Sequence, residues 1–134
     1  MGCWLVKSDP DEYGWPDLEA DKETEWTGVK NYAARLHLNN MKKGDGVLFY
    51  HSGAEMAVVG EAIVSRESFS DPTTDDDRWV AIGLRAVKAF RRPVELKRIK
   101  AERQLQLIGL VRIGRLSVMP LKKAEYDLIM QMGA

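Results

Sequence analysis

Trp4-Leu5-Val6-Lys7-Ser8-Asp9-Pro10 decides how this chain is read: a short apolar run stops at a turn-forming triplet, with a cation and a hydroxyl at the junction. The residue before a proline is biased away from helix, so residues 3–7 read as a strand entering a turn. Lys7 and Ser8 then stand at a strand end, where side chains can line a pocket. On the N-terminal side the strand follows Met1 and Gly2 directly, and a chain without a secretory leader is expected. Val6 stands where a myristoylation motif needs Ser or Thr, so Gly2 is not expected to carry a lipid. On the C-terminal side, residues 9–25 hold eight acids against the single Lys22, with Gly14-Trp15-Pro16 inside. They read as a mobile acidic surface connection with one helical turn around 17–20.

Further along, Tyr32, Leu36 and Met41, with Ala33 and Ala34, form an apolar stripe at near-helical spacing, and Asn31 precedes them as an N-cap. A helix over 31–41 follows. Lys43-Gly44-Asp45-Gly46 reads as a turn, 47–51 as a compact strand, and 57–65 as a second strand. In the latter, Val58, Gly60, Ala62 and Val64 share one face, while Glu61 shares the other with Val59 and Ile63. Residues 68–78, with Pro72 and Asp75-Asp76-Asp77, read as a polar loop. Residues 79–90 alternate as a long strand that Pro93 is expected to end. Helix is expected over 94–103, partial helix over 104–114, a last strand over 116–120, and a helix over 122–132 with Tyr126, Ile129 and Met130 inward. Strands outnumber helices and neighbours look hairpin-like, which favours an α+β fold with a mixed or antiparallel sheet, curled toward an open barrel. No glycine-rich phosphate motif of the Rossmann or P-loop kind occurs.

The length of 134 residues suits one domain spanning 1–134, and a 45% hydrophobic, 30% charged composition suits a soluble globular chain. No apolar run approaches the ~20 residues that cross a bilayer, so no membrane role is expected. Cys3 is the only cysteine, which excludes an internal disulfide and fits a reducing, cytoplasmic location. Cys3, His37 and His51 are scattered, so neither a metal nor a cofactor is expected, and a monomer is favoured. Net charge is zero, yet residues 1–84 carry 8 Lys+Arg against 16 Asp+Glu, while residues 85–134 carry 12 against 4. One reading is a solvated surface whose parts attract each other. The other makes the C-terminal cations, Arg91, Arg92, Lys97 and Arg98 above all, a phosphate-binding face, which would supply affinity and salt dependence but no sequence choice.

Three later segments share the property of the opening one, placing polar or aromatic groups at the ends of apolar elements. They are Trp26-Thr27-Gly28-Val29-Lys30-Asn31-Tyr32-Ala33-Ala34-Arg35, Phe49-Tyr50-His51-Ser52 and Arg115-Leu116-Ser117-Val118-Met119-Pro120. In order and spacing the four resemble the signature blocks of the EVE domain family, with Trp79 and a terminal helix in the expected places. The resemblance covers nearly the whole chain. It implies a PUA-like fold, related to YTH and ASCH domains, in which an open pseudo-barrel with peripheral helices holds one pocket. It also implies recognition of a modified base in DNA or RNA. Lys30 stands where arginine is usual, and the loop at 68–78 is shorter than in many members, so base preference does not carry over.

The residues themselves suit a base slot, which needs an aromatic for the π-face and polar groups for the base edge. Lys7, Ser8, Trp26, Gly28, Val29, Asn31, Tyr50, Ser52, Trp79 and Ser117 are the candidate ligand-contacting set. Each has a plainer role beside this one. Asn31 suits helix capping, Trp26 and Trp79 suit the core, Ser8 suits the turn before Pro10, and Ser117 suits tight packing. Tyr50 and His51 are not expected to face inward together on one strand. Two other functions compete. An ASCH-like amidohydrolase acting on modified nucleosides would use Lys7, Ser8 and Glu61 if the fold brought them together. A protein-interaction module would use the acidic face from Asp9 to Glu25.

Overall fold

The computed structural model describes residues 2–134. The opening stretch forms β1 (Cys3–Ser8), which pairs parallel with β3 (Gly46–His51) and antiparallel with β6 (Val118–Leu121). Two long strands, β4 (Ala57–Ser70) and β5 (Val80–Glu95), continue the sheet from β3, and the short β2 (Glu23–Trp26) closes it on the far side. The order is β2-β5-β4-β3-β1-β6, a six-stranded mixed sheet that does not close into a barrel. Among the described residues only the β1/β3 pair is parallel, because β1 reaches β3 through a long crossover, whereas β3, β4 and β5 follow one another as hairpins.

Every residue of β3 is buried, as befits a strand covered on both faces. α3 (Tyr32–Asn40) covers the sheet with Ala34 and Leu38, and α6 (Lys123–Met132) covers it with Tyr126 and Ile129. The other helices, α1 (Pro10–Tyr13), α2 (Trp15–Asp21), α4 (Leu96–Ala101) and α5 (Gly109–Arg112), are short. Their buried side chains, Trp15, Leu18, Ile99 and Leu110, join the same core cluster as the strands.

Several local expectations give way. Residues 9–25 are two helices and a strand rather than a loose connection, because Trp15 and Leu18 are core residues and anchor the acidic segment from inside. A Cβ on Gly60 would stand 2.6 Å from the Trp15 indole, so the bare backbone of β4 is what lets this anchor seat. Helix α3 forms with Asn31 as its N-cap, but Tyr32 and Leu36 face away from the sheet and Ala34 and Leu38 face toward it. Pro93 does not end β5. Residues 90–93 bulge opposite Val59, between the pairs Gly60↔Ala89 and Val58↔Val94, and the proline sits where no ladder hydrogen bond is required of it. The amides of Arg91 and Arg92 donate instead to Gly133 O at 3.1 and 3.3 Å.

Candidate functional site

A pocket of about 360 Å³ opens where the C-terminal end of β1 faces the exit of β2. It gathers residues far apart in the chain: Lys7 and Ser8 from β1, Trp26, Gly28, Val29 and Asn31 from β2 and its exit, and Ser117 from the lead into β6. Asp9, Glu12, Tyr13, Thr24, Glu25, Thr27 and Lys30 complete the wall. The strand register explains the first and last of these, since the Lys7 amide donates to Ser117 O at 2.9 Å and extends the β1/β6 pairing by one bond.

The polar groups are positioned by bonds that leave defined valences for a ligand. Lys7 Nζ donates to Gly114 O at 2.9 Å and lies 5.9 Å from the centre of the Tyr50 ring. Burial pushes its pKa below the usual lysine value. An ammonium has three donors, so two remain. Ser8 Oγ donates its proton to Tyr13 O at 2.6 Å, which leaves it an acceptor toward the pocket. Asn31 Oδ1 accepts from the Ala34 amide at 2.9 Å, so capping consumes the carbonyl and the NH2 group stays available. Trp26 is buried and supplies an apolar wall.

Gly28 has φ of +79°, a left-handed conformation that disfavours other residues, and nothing lies within 4 Å of where its Cβ would be. The open space belongs to the pocket. What holds this turn is Asp71, only 3% exposed, whose Oδ2 accepts from the Gly28 amide at 2.8 Å while Oδ1 accepts from Thr73 N and Oγ1 at 2.8 and 2.6 Å. Burial acts to raise the Asp71 pKa, but the bonds from Thr73 and Gly28, together with Lys30, overcome it and hold the carboxyl below its usual range. Sequence reading overlooked Asp71 because the run at 75–77 made the whole loop look like a solvated acid tract. The available signal was Asp71-Pro72-Thr73, an Asx-turn pattern.

The remaining candidates lie elsewhere. Tyr50 is buried within β3, beside Lys7 in the register but outside the pocket wall. His51 is buried too, on the opposite face, where Nε2 accepts from the Trp15 amide at 2.9 Å and Nδ1 meets Glu55 Oε1 at 2.7 Å. Both can be inward because both faces of the sheet are covered. Ser52 donates its amide to Ser8 O at 2.9 Å and is also outside the wall. Trp79 packs against Tyr32, ring centres 5.3 Å apart. Arg91, Arg92, Lys97 and Arg98 are exposed on the β5 bulge and α4, and none lines the pocket. Glu61 accepts from Tyr126 Oη in a short hydrogen bond and lines a separate small cavity with Lys88 and Arg91. Lys7, Ser8 and Glu61 are therefore not brought together. Among the described residues no cluster of three His, Cys, Asp or Glu is arranged to hold a metal, and no helix is long and apolar enough to cross a membrane.

A larger hollow of about 580 Å³ runs along the β6 side, lined by Leu107, Ile108, Ile113, Leu116, Met119 and Leu121, with His37, Arg112, Lys122 and Glu125 among its polar residues. Its walls are mostly hydrocarbon.

An open mixed sheet with peripheral helices and a small polar pocket at one strand end defines a domain of the PUA-like class. The EVE domain profile matches residues 2–132, and the chain belongs to the EVE domain family. Mouse thymocyte nuclear protein 1 is 30% identical, over 96% of this chain and 72% of its own length. A crystal structure from Agrobacterium tumefaciens superposes with a TM-score of 0.95 at 39% identity, covering 100% of this chain and 94% of that one. Human thymocyte nuclear protein 1 superposes with a TM-score of 0.91 at 26% identity, covering 99% and 98%, and its crystal structure is a complex with DNA containing 5-methylcytosine. The ASCH protein of Zymomonas mobilis shares the fold at a TM-score of 0.64 with 12% identity.

Proposed function

We propose that this protein reads a modified nucleobase in DNA, held in the pocket between β1 and the exit of β2, with 5-methylcytosine the leading ligand. The observation that carries the reading is the convergence of Lys7, Ser8, Trp26, Gly28, Asn31 and Ser117 on one base-sized hollow. This stands beside the DNA complex of the human relative. At about 360 Å³ the hollow lies at the small end of the ~300–1,000 Å³ typical of ligand sites, as a single base requires. A cytosine edge offers O2 and N3 as acceptors and its amino group as a donor. Asn31 and Lys7 supply the matching donors, while Ser8 Oγ and the carboxylates of Asp9, Glu12 and Glu25 supply acceptors. Trp26 offers the surface that a splayed base stacks on.

Backbone affinity would come from Arg91, Arg92, Lys97 and Arg98. The register Ser8↔His51↔Ala57↔Glu95 puts the start of α4 at the same end of the sheet as Lys7 and Ser8, roughly 15 Å across three strand spacings. Extension of the reading to RNA and assignment to the cytoplasm rest on the family resemblance and on the single buried Cys3. The test is a binding screen with oligonucleotides carrying 5-methylcytosine, other modified bases or none, in single and double strands. At least one modified strand is expected to bind more tightly than its unmodified twin, with a salt slope about two units shallower in an R91A/R92A variant. Equal binding of modified and unmodified strands would sink the proposal.

A further inference from the structure

We propose that Tyr32, backed by Trp79 and held by Arg78, is a stacking platform for the nucleotide next to the one in the pocket. This inference rests on the base-reading assignment and adds a second contact surface to it. Tyr32 follows Asn31 directly, so the platform adjoins a residue of the pocket wall. Its side chain is 57% exposed, and Leu36 one turn later on the same face is 63% exposed. An exposed tyrosine on a surface helix is ordinarily free to change rotamer. This one is fixed in two ways, at its hydroxyl and through the packing of its ring. Its hydroxyl accepts from Arg78 Nη1 at 2.9 Å, its ring lies 5.3 Å from the Trp79 ring at 40°, and Arg78 is itself clamped by both Asp76 oxygens at 2.6 to 3.0 Å.

That arrangement spends little further side-chain entropy when a flat ligand lands on the free face. Charge points the same way. Arg35, three residues along α3 from Tyr32, has a buried Nε with no hydrogen-bond partner, and neither it nor Lys30 takes part in an ion pair among the described residues. Two cations outside any ion pair beside an exposed aromatic, Lys30 also acting at longer range on the Asp71 and Asp76 carboxylates, match a nucleotide, which brings a π-face and a phosphate together. Aromatic stacking tolerates any base, so the platform contributes affinity for the strand without choosing the flanking sequence.

The test compares two probes, the free nucleoside 5-methyldeoxycytidine and a single-stranded oligonucleotide with one central 5-methylcytosine, followed by NMR titration and by fluorescence anisotropy. Tyr32→Ala is expected to weaken the oligonucleotide on the order of tenfold and to leave nucleoside binding within twofold of the parent. Tyr32→Phe keeps the ring and is expected to keep oligonucleotide affinity within about threefold, which separates stacking from loss of the Arg78 bond. Parent-like oligonucleotide binding by Tyr32→Ala overturns the inference. Equal loss on both probes also overturns it, because Tyr32 would then be supporting the pocket and not the strand. A parent in which the nucleoside leaves the resonances of Trp26 and Gly28 unmoved defeats the pocket assignment itself, and this inference with it.

Discussion

Two hollows of this molecule, the β6 groove and the pocket at the end of β1, differ in the wrong direction for a rule based on size. The groove along β6 encloses about 580 Å³ against 360 Å³ for the pocket at the end of β1, yet its lining is dominated by Leu, Ile and Met. Such walls attract any apolar surface and discriminate little. The smaller pocket brings two ammonium groups, three carboxylates, several hydroxyls and one amide to a space walled by Trp26 and Val29. Bonds to Gly114 O, Tyr13 O and the Ala34 amide commit part of the valence of Lys7, Ser8 and Asn31, which orients what those three groups have left. Selectivity comes from such preset groups, since a ligand that fails to match them leaves buried polar atoms unpaired.

The contrast can be broken at either hollow. The largest effect is expected from Trp26→Ala, which removes the wall of the small pocket. Binding of a modified oligonucleotide should fall ten- to a hundredfold by anisotropy while circular dichroism shows a folded chain. A folded variant that binds like the parent would show that the pocket has been misplaced. Asp71→Asn comes next, with a loss of about 1–2 kcal/mol in chemical denaturation, since one carboxylate serves the Gly28 amide and Thr73. The folded-state pKa of Asp71 lies below the ordinary 3.8, so its stabilisation is full above about pH 4 and fades as pH falls through the lowered value. Denaturation midpoints measured from pH 6 to pH 2 should fall less steeply in Asp71→Asn than in the parent.

Asn31→Ala removes both a cap and a pocket amide. A cap contributes about 1 kcal/mol, and binding should weaken several-fold beyond what that loss of folding explains. Asn31→Asp sharpens the point, because it keeps the capping oxygen and loses the NH2, so folding should be spared and binding should not. The smallest effect is expected in the groove. Leu107→Ser and Ile113→Ser alter side chains that are already exposed, so stability should stay within ~0.5 kcal/mol and oligonucleotide affinity within twofold. A tenfold loss of affinity there would make the groove part of the binding surface.

Local chemistry wrote much of the framework in advance. Asp9-Pro10 after an apolar run marks the end of β1, Asn31 caps α3, and the alternation over 57–65 marks β4. Seven of the candidate pocket residues meet in the wall, and each stands at or within a few residues of the end of a strand or helix. The errors have a common origin. The apolar stripe on α3 divides in the fold, with Tyr32 and Leu36 outward and Ala34 and Met41 buried, while Leu38 completes the face against the sheet. Trp15 was hidden in an acidic segment, and only the vacancy at Gly60 across the sheet gives it a seat.

The sequence by itself determined where the chain turns, which strand ends carry polar groups and which family the protein belongs to, since these depend on backbone preference and motif order over a few residues. Only the tertiary structure decided that Lys7, Trp26 and Ser117 share a wall, that Glu61 is committed to Tyr126, and that Asp71 holds the Gly28 turn. Those relations join residues distant in the chain, Gly28 and Asp71 43 positions apart and Lys7 and Ser117 more than 100. Their distances are set by strand register and by the curl of the sheet, and no local pattern encodes either.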